Sequence, residues 1–170
     1  MAERKEAKLT KKMATAAVLT SVELIFSYVE LLVPISIGIP GIKLGLANIV
    51  IVMALYTLGP SYALVINLVR IALSALLFGN AFSAVYALAG GVLSFLAMVL
   101  VKHFSCFSVT GVSMAGGVIH NLGQIACAAF VMQTAKIFAY FPVLTLAGII
   151  TGIFTGLVAG LSLKNIRYHV

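Results

Sequence analysis

The sequence contains no aspartate and few charged residues of any kind. Only 9% of its 170 residues are charged, whereas a soluble domain carries roughly 25%. Without aspartate the chain lacks an Asp-rich magnesium site, a paired-aspartate protease site and the metal-holding residue of a Walker ATPase. A P-loop, a Ser–His–Asp set and a His/Cys cluster are absent from the sequence as well. We therefore expect no catalytic residue, no bound metal and no cofactor.

Apolar residues make up 62% of the sequence, and its mean hydropathy is +1.18. A surface of this composition cannot face water alone, so we expect lipid to cover much of it. Glycines, prolines and charges divide the chain into six apolar spans, at about residues 13–37, 44–58, 62–78, 81–101, 109–133 and 142–163. The pattern predicts an all-α integral membrane bundle of six transmembrane helices over 13–163, between a basic tail, 1–12, and a short tail, 164–170.

The basic residues predict the orientation of this bundle. Five of the eleven precede the first span, namely Arg4, Lys5, Lys8, Lys11 and Lys12. Together with Lys102, Lys164 and Arg167 they place eight basic residues on the side of the N-terminus, against Lys43 and Lys136 on the other side. Because lysine and arginine are retained inside, both termini are expected in the cytoplasm, and the net charge of +7 needs no nucleic-acid partner. The first apolar run is too long for a cleaved signal peptide and contains two glutamates.

Small residues at four-residue spacing predict two helix faces. In the sixth span they form a glycine face that favours close helix packing: Gly148, Gly152, Gly156 and Gly160. In the inner half of the first span they form a second face: Ala16, Ala17, Thr20 and Ser21. This second face is expected either to pack inside the bundle or to dock a partner helix near the cytoplasmic surface.

Polar residues inside the spans are candidates for function, because each is costly in lipid unless it is paired or hydrated. Glu23 and Arg70 fall near the membrane midplane, and Asn67 shares a helix face with Arg70. One interpretation is an ion pair between Glu23 and Arg70, with amide hydrogen bonds that join the helices. The other is an outward-opening pocket for a small solute, lined by Glu30, Asn48, Arg70, His120, Asn121 and Gln124.

Residues 34–43 would lie above such a pocket. Proline and glycine stop the helix there and leave backbone groups free, which lipid tolerates only where they line a cavity. This segment is a candidate lid, with Pro34, Pro40, Gly41 and Lys43 as its residues. Arg70 and His120 favour an anionic or amide-rich solute.

Three stretches resemble a known family: Pro40 to Val50, the turn Phe78-Gly79-Asn80, and Gly116 to Gln124. They are similar to the bacterial Gx transporter family, often labelled heptaprenyl diphosphate synthase component I, over about residues 9–163. In size and span number this family looks like the substrate-binding S components of energy-coupling factor transporters. The resemblance implies a bacterial plasma-membrane importer subunit that binds a vitamin-type nutrient and docks onto a membrane coupling subunit driven by two ATPases.

The resemblance leaves two points open. The Ala-x-x-x-Ala docking pattern of such subunits is replaced here by the pairs Ala16/Thr20 and Ala17/Ser21. The synthase label implies instead a non-catalytic membrane subunit of a polyprenyl diphosphate synthase, since the Asp-rich motifs of the catalytic type are missing. A standalone channel or secondary carrier is a third hypothesis.

Overall fold

The computed structural model describes residues 2–32, 45–104 and 106–168, and in these residues the chain is helical with short connections. An all-α fold, as predicted, is therefore confirmed for the part of the chain that is described. The helices are α1 (Ala2–Leu32), α2 (Leu46–Thr57), α3 (Pro60–Phe78), α4 (Ala81–His103), α5 (Val109–Val131), a 3₁₀ helix (Ala135–Tyr140) and α6 (Phe141–Tyr168).

Helix α2 is shorter than the other α-helices. Within the described ranges, five helices are long and apolar enough to cross a membrane, whereas α2 has 12 residues. At about 1.5 Å per residue α2 is roughly 18 Å long, and a bilayer core is about 30 Å thick. The described residues thus provide five helices of spanning length where the sequence predicted six. Leu76, Phe130 and Ile150 are 81%, 77% and 67% exposed, as expected of side chains that face lipid.

The first helix begins earlier than predicted, at Ala2 rather than near Met13. Its first turns are rich in Ala, Glu, Lys and Arg, which are strong helix formers, so the basic segment continues the spanning helix. The predicted end of the first span, near Ile37, lies outside the described residues.

Helix α2 lies in the middle of the bundle. It packs against α1, α3, α5 and α6, while α1, α3, α4, α5 and α6 follow one another around it. Most of its side chains are buried, including Val50, Val52 and Leu55. A helix that is apolar on all sides is typical of such a buried position.

Both ends of α2 are bound by charged side chains of other helices. At its N-terminus the backbone N–H of Leu46 donates to Glu30 Oε1 of α1 at 2.7 Å. At its C-terminus Lys102 Nζ of α4 donates to the Leu55 carbonyl at 2.6 Å and lies 4.5 Å from the centre of the Tyr56 ring. An anion at the N-terminus and a cation at the C-terminus both stabilise the helix dipole.

Two of the predicted turns, at residues 59–61 and 79–80, form in the described part of the chain. Gly59 has a φ of 94°, which favours glycine, and Pro60 starts α3. Asn80 and Ser83 form a reciprocal cap at the start of α4. The predicted loop at 136–141 differs, because residues 135–140 form a 3₁₀ helix.

Glycines bring α5 and α6 into backbone contact. A Cβ added at Gly148 would lie 2.9 Å from the backbone of Gly117, and one at Gly152 would lie 2.6 Å from Met114 Cα. Gly156 is equally close to Thr110. The predicted glycine face thus packs at three positions. It does not pack at Gly160, where no described atom lies within 4 Å of an added Cβ, because α5 begins only at Val109.

Gly152→Ala is expected to destabilise the bundle, because the methyl group would overlap the α5 backbone. The cost of such overpacking is about 1–3 kcal/mol, which corresponds to an apparent Tm lower by roughly 5 °C. Thermal unfolding in detergent, followed by size exclusion of a fluorescent fusion, measures it. Gly160→Ala is the matched control and should leave the apparent Tm unchanged or slightly higher. Equal losses in both variants would contradict the α5–α6 packing.

Cys106 offers a test of the predicted orientation, because it is an exposed cysteine between α4 and α5. With both termini in the cytoplasm this connection is cytoplasmic too. In a Cys127→Ala background, a membrane-impermeant maleimide should leave Cys106 unlabelled in intact cells and label it after permeabilisation. Labelling in intact cells would show that the orientation is the opposite of the predicted one.

Candidate functional site

A cavity of about 90 Å³ lies inside the bundle, and all α-helices contribute to its wall. This volume is enough for several water molecules. The wall consists of Glu30 of α1; Gly45 before α2; Ala47, Asn48 and Ile51 of α2; Asn67 and Arg70 of α3; Ala87, Gly91, Ser94 and Met98 of α4; Gly117, His120, Asn121 and Gln124 of α5; and Thr151, Gly152 and Thr155 of α6.

The structure brings together all six residues that the sequence singled out as pocket residues. They come from four helices: Glu30, Asn48, Arg70, His120, Asn121 and Gln124 all line the cavity. The candidate lid residues Pro34, Pro40, Gly41 and Lys43 lie outside the described part of the chain. Glu30 and Gly45, which are described on either side of that segment in the sequence, both line the cavity.

Arg70 forms the ion pair that the sequence suggested. Its Nε donates to Glu23 Oε1 at 3.0 Å, and its Nη2 donates to Asn67 Oδ1 at 3.2 Å. Glu23 is fully buried, whereas Arg70 retains 15% side-chain exposure at the cavity. Asn67 Nδ2 in turn donates to the Gly91 carbonyl at 3.1 Å. This chain of contacts joins α1, α3 and α4 on one side of the cavity.

The ion pair changes the expectation about the solute. The sequence favoured an anionic or amide-rich solute, partly because of the positive charge of Arg70. In the structure its charge is compensated by Glu23 and further engaged by Asn67. Arg70 therefore gives no reason to expect an anion in the cavity.

Helix α5 contributes His120, Asn121 and Gln124 to the cavity wall. Asn121 Nδ2 donates to the Leu144 carbonyl of α6 at 2.7 Å. Gln124 is only 2% exposed, and its Nε2 has no hydrogen-bond partner among the described residues. Gly90 makes room for it, because an added Cβ would lie 2.8 Å from Gln124 Cγ and 3.0 Å from His120 Cε1. An unpaired buried amide is costly, so a water molecule or a solute in the cavity is the expected partner.

Sequence reasoning missed the α4 and α6 walls. Ser94, Thr151 and Thr155 line the cavity, but hydroxyl residues are common in membrane helices because they bond to their own backbone. Thr151 does so, through the Ala147 carbonyl at 2.9 Å. Thr155 also meets Ser113 of α5, with 2.7 Å between the hydroxyl oxygens. These residues reach the cavity because of the way their helices pack against the other helices. The sequence does not give that packing.

The candidate docking residues of α1 divide between two faces. Ala16 packs against the core and Thr20 is half-buried, whereas Ala17 and Ser21 are exposed. The hydroxyls of Thr20 and Ser21 donate to the carbonyls of Ala16 and Ala17, at 2.8 and 3.0 Å. The exposed part of this face therefore consists of the small residues Ala17 and Ser21, and the Ser21 hydroxyl already has a hydrogen-bond partner.

Metal binding gains no support from the described residues, which contain no group of three His, Cys, Asp or Glu side chains able to hold an ion. The polar groups at the cavity are mostly amides and hydroxyls. Such a set can bind a solute by hydrogen bonds.

Glu23→Gln is expected to lower the stability of the bundle strongly, because it leaves the Arg70 charge without its partner. Breaking a buried pair in this way costs about 3–5 kcal/mol. The double variant Glu23→Gln/Arg70→Gln should recover much of the apparent Tm, and Glu6→Gln, on the exposed start of α1, should have no effect. If the loss of stability in the double variant equals the sum of the losses in Glu23→Gln and Arg70→Gln, the two side chains are not coupled.

Comparison with known proteins shows which family the chain belongs to. A family model described as heptaprenyl diphosphate synthase component I matches residues 19–162, which is most of the chain and includes every residue named in the cavity wall. Neither a curated protein nor a solved structure matches the sequence. The chain thus belongs to the heptaprenyl diphosphate synthase component I family.

Proposed function

We propose that this protein is the substrate-binding membrane subunit of a nutrient importer and that the cavity holds its solute. The observation that carries the proposal is Gln124, a buried cavity residue whose amide nitrogen has no partner among the described residues. A cavity that served packing alone would be expected to be apolar or filled. Here the wall combines amides, hydroxyls, a carboxylate and a guanidinium, which is typical of a small-molecule site.

The position of the cavity supports binding from one side of the membrane. Glu30 lies near the C-terminal end of α1, and Gly45 and Asn48 lie at the N-terminal end of α2. With the predicted orientation these ends face outward. A solute would enter from outside, whereas the candidate lid, residues 34–43, lies outside the described part of the chain.

Uptake against a gradient requires an energy source that this chain lacks. It has no aspartate and no P-loop for ATP hydrolysis. We therefore assign the energy to partners, a membrane coupling subunit and two ATPases. The exposed small residues Ala17 and Ser21 of α1 offer a face on which another helix can approach closely.

The family description favours a second candidate function, a non-catalytic membrane subunit associated with heptaprenyl diphosphate synthase. That role would call for a long apolar groove for the prenyl chain. The cavity instead has a volume of about 90 Å³ and a wall that includes amide, hydroxyl and charged side chains, so we rank this function second.

The test is to identify the partners of the tagged chain, expressed at its native level in the cell that encodes it. Membranes are crosslinked and extracted in mild detergent, and the co-purifying proteins are identified by mass spectrometry. The expected result is a membrane coupling subunit with two ATPase subunits. A soluble prenyl synthase would support the second candidate. The chain alone, after efficient crosslinking, would contradict both.

A matched pair of variants makes the partner test specific. Ala17→Leu enlarges the exposed small face of α1 and should reduce partner recovery about tenfold, because close backbone approach is lost. Ala72→Leu makes the same change at an exposed alanine of α3 and should leave recovery unchanged. Equal recovery with both variants would exclude this face as the docking surface.

A further inference from the structure

We infer that the cavity selects an uncharged solute of the amide type, which presents an N–H donor and a carbonyl acceptor, and that it disfavours carboxylates and phosphates. The inference rests on the proposed function and adds the chemical class of the solute. It follows from three features of the wall: a compensated arginine, an uncompensated carboxylate and an unpaired amide donor.

The first feature concerns the positive charge at the cavity. The described wall residues include two with a basic side chain, Arg70 and His120. The Nε of Arg70 is bound to Glu23, and its Nη2 is bound to Asn67. A guanidinium that is already paired with a buried carboxylate attracts a second anion weakly, because the net charge of the pair is zero.

The second feature is the carboxylate of Glu30. Its Oε1 accepts from the Leu46 N–H, and an ionised carboxylate can accept further hydrogen bonds through its other oxygen. The ion pair recorded for the described residues is Arg70–Glu23, so Glu30 has no basic side chain beside it there. The partial positive charge of the α2 N-terminus, about half a unit, compensates Glu30 only in part. Among the described residues the wall therefore carries net negative character, which repels anions and favours N–H donors.

The third feature is the amide of Gln124. Its Nε2 is a donor without an acceptor in the described residues, and the residue is almost wholly buried. A solute carbonyl would satisfy this donor. Glu30 can accept from a further donor and Gln124 Nε2 lacks an acceptor among the described residues, and an amide group supplies both without a charge.

Acetamide and acetate test this inference, because the two probes have the same size and the same methyl group. Acetate replaces the N–H donors of acetamide by a negatively charged acceptor. Both are small enough for a cavity of about 90 Å³. Saturation-transfer NMR of the methyl signals, titrated against the purified full chain in zwitterionic nanodiscs, gives the two affinities. Empty nanodiscs provide the background.

Acetamide is expected to bind at least about tenfold more tightly than acetate. Glu30→Gln should reduce this preference to about twofold or less, since the glutamine carbonyl can still accept from Leu46 while the charge is gone. Glu6→Gln, on the exposed N-terminal turns of α1, makes the same change away from the cavity and should keep the wild-type preference. Gln124→Met should weaken acetamide more than acetate.

The other outcomes separate the two proposals. Acetate binding as tightly as acetamide in the wild type would overturn the solute class, while the importer function would still stand or fall with the co-purified partners. A preference that persists in Glu30→Gln would overturn the role of that carboxylate. Saturation transfer to neither probe, in a folded protein, would also overturn the solute class, and the importer function would again depend on the co-purified partners.

Discussion

The structure depends on the burial of α2, a helix too short to reach both membrane surfaces by itself. In a bilayer the free N–H and C=O groups at helix ends must find partners within the protein. Glu30 provides one at the N-terminus, and Lys102 provides one at the C-terminus. Because these residues belong to α1 and α4, they tie the central helix to two peripheral helices. Glu30 also lines the cavity, so the group that fixes α2 is part of the candidate site.

The close packing of α4, α5 and α6 follows from glycine rather than from large side chains. Lipid and protein interiors are equally apolar, so contact between these helices relies on close backbone approach and on polar bonds. Gly117 and Gly148 allow that approach between α5 and α6, and Ser113 and Thr155 add a hydrogen bond. Gly90 gives room to a polar side chain, that of Gln124. Small residues therefore serve both the packing and the site.

The sequence was sufficient for the helices and for much of the cavity, and the reasons are physical. Asn48, His120 and Gln124 stand out because a polar residue is expensive in a long apolar run. Thr151 and Thr155 do not, because a hydroxyl can be satisfied within its own helix. Gly160 was predicted on the packing face, but no described atom lies within 4 Å of an added Cβ there, because periodicity gives the face of a helix and not the extent of its neighbour. The early start of α1 was missed because hydropathy detects the spanning segment and not the charged turns before it.

The simplest alternative to a binding site is that the polar residues only hold the helices together. This explanation accounts for Arg70 with Glu23, for Asn67 with Gly91, and for Asn121 with Leu144. It does not account for Gln124, whose amide nitrogen is buried without a partner among the described residues. Glu23 Oε2 and the Ser74 hydroxyl are also unpaired there, but neither residue lines the cavity. Of the three unpaired groups, Gln124 alone belongs to the cavity wall, and a water molecule or a solute at that place would supply the acceptor that the helices do not.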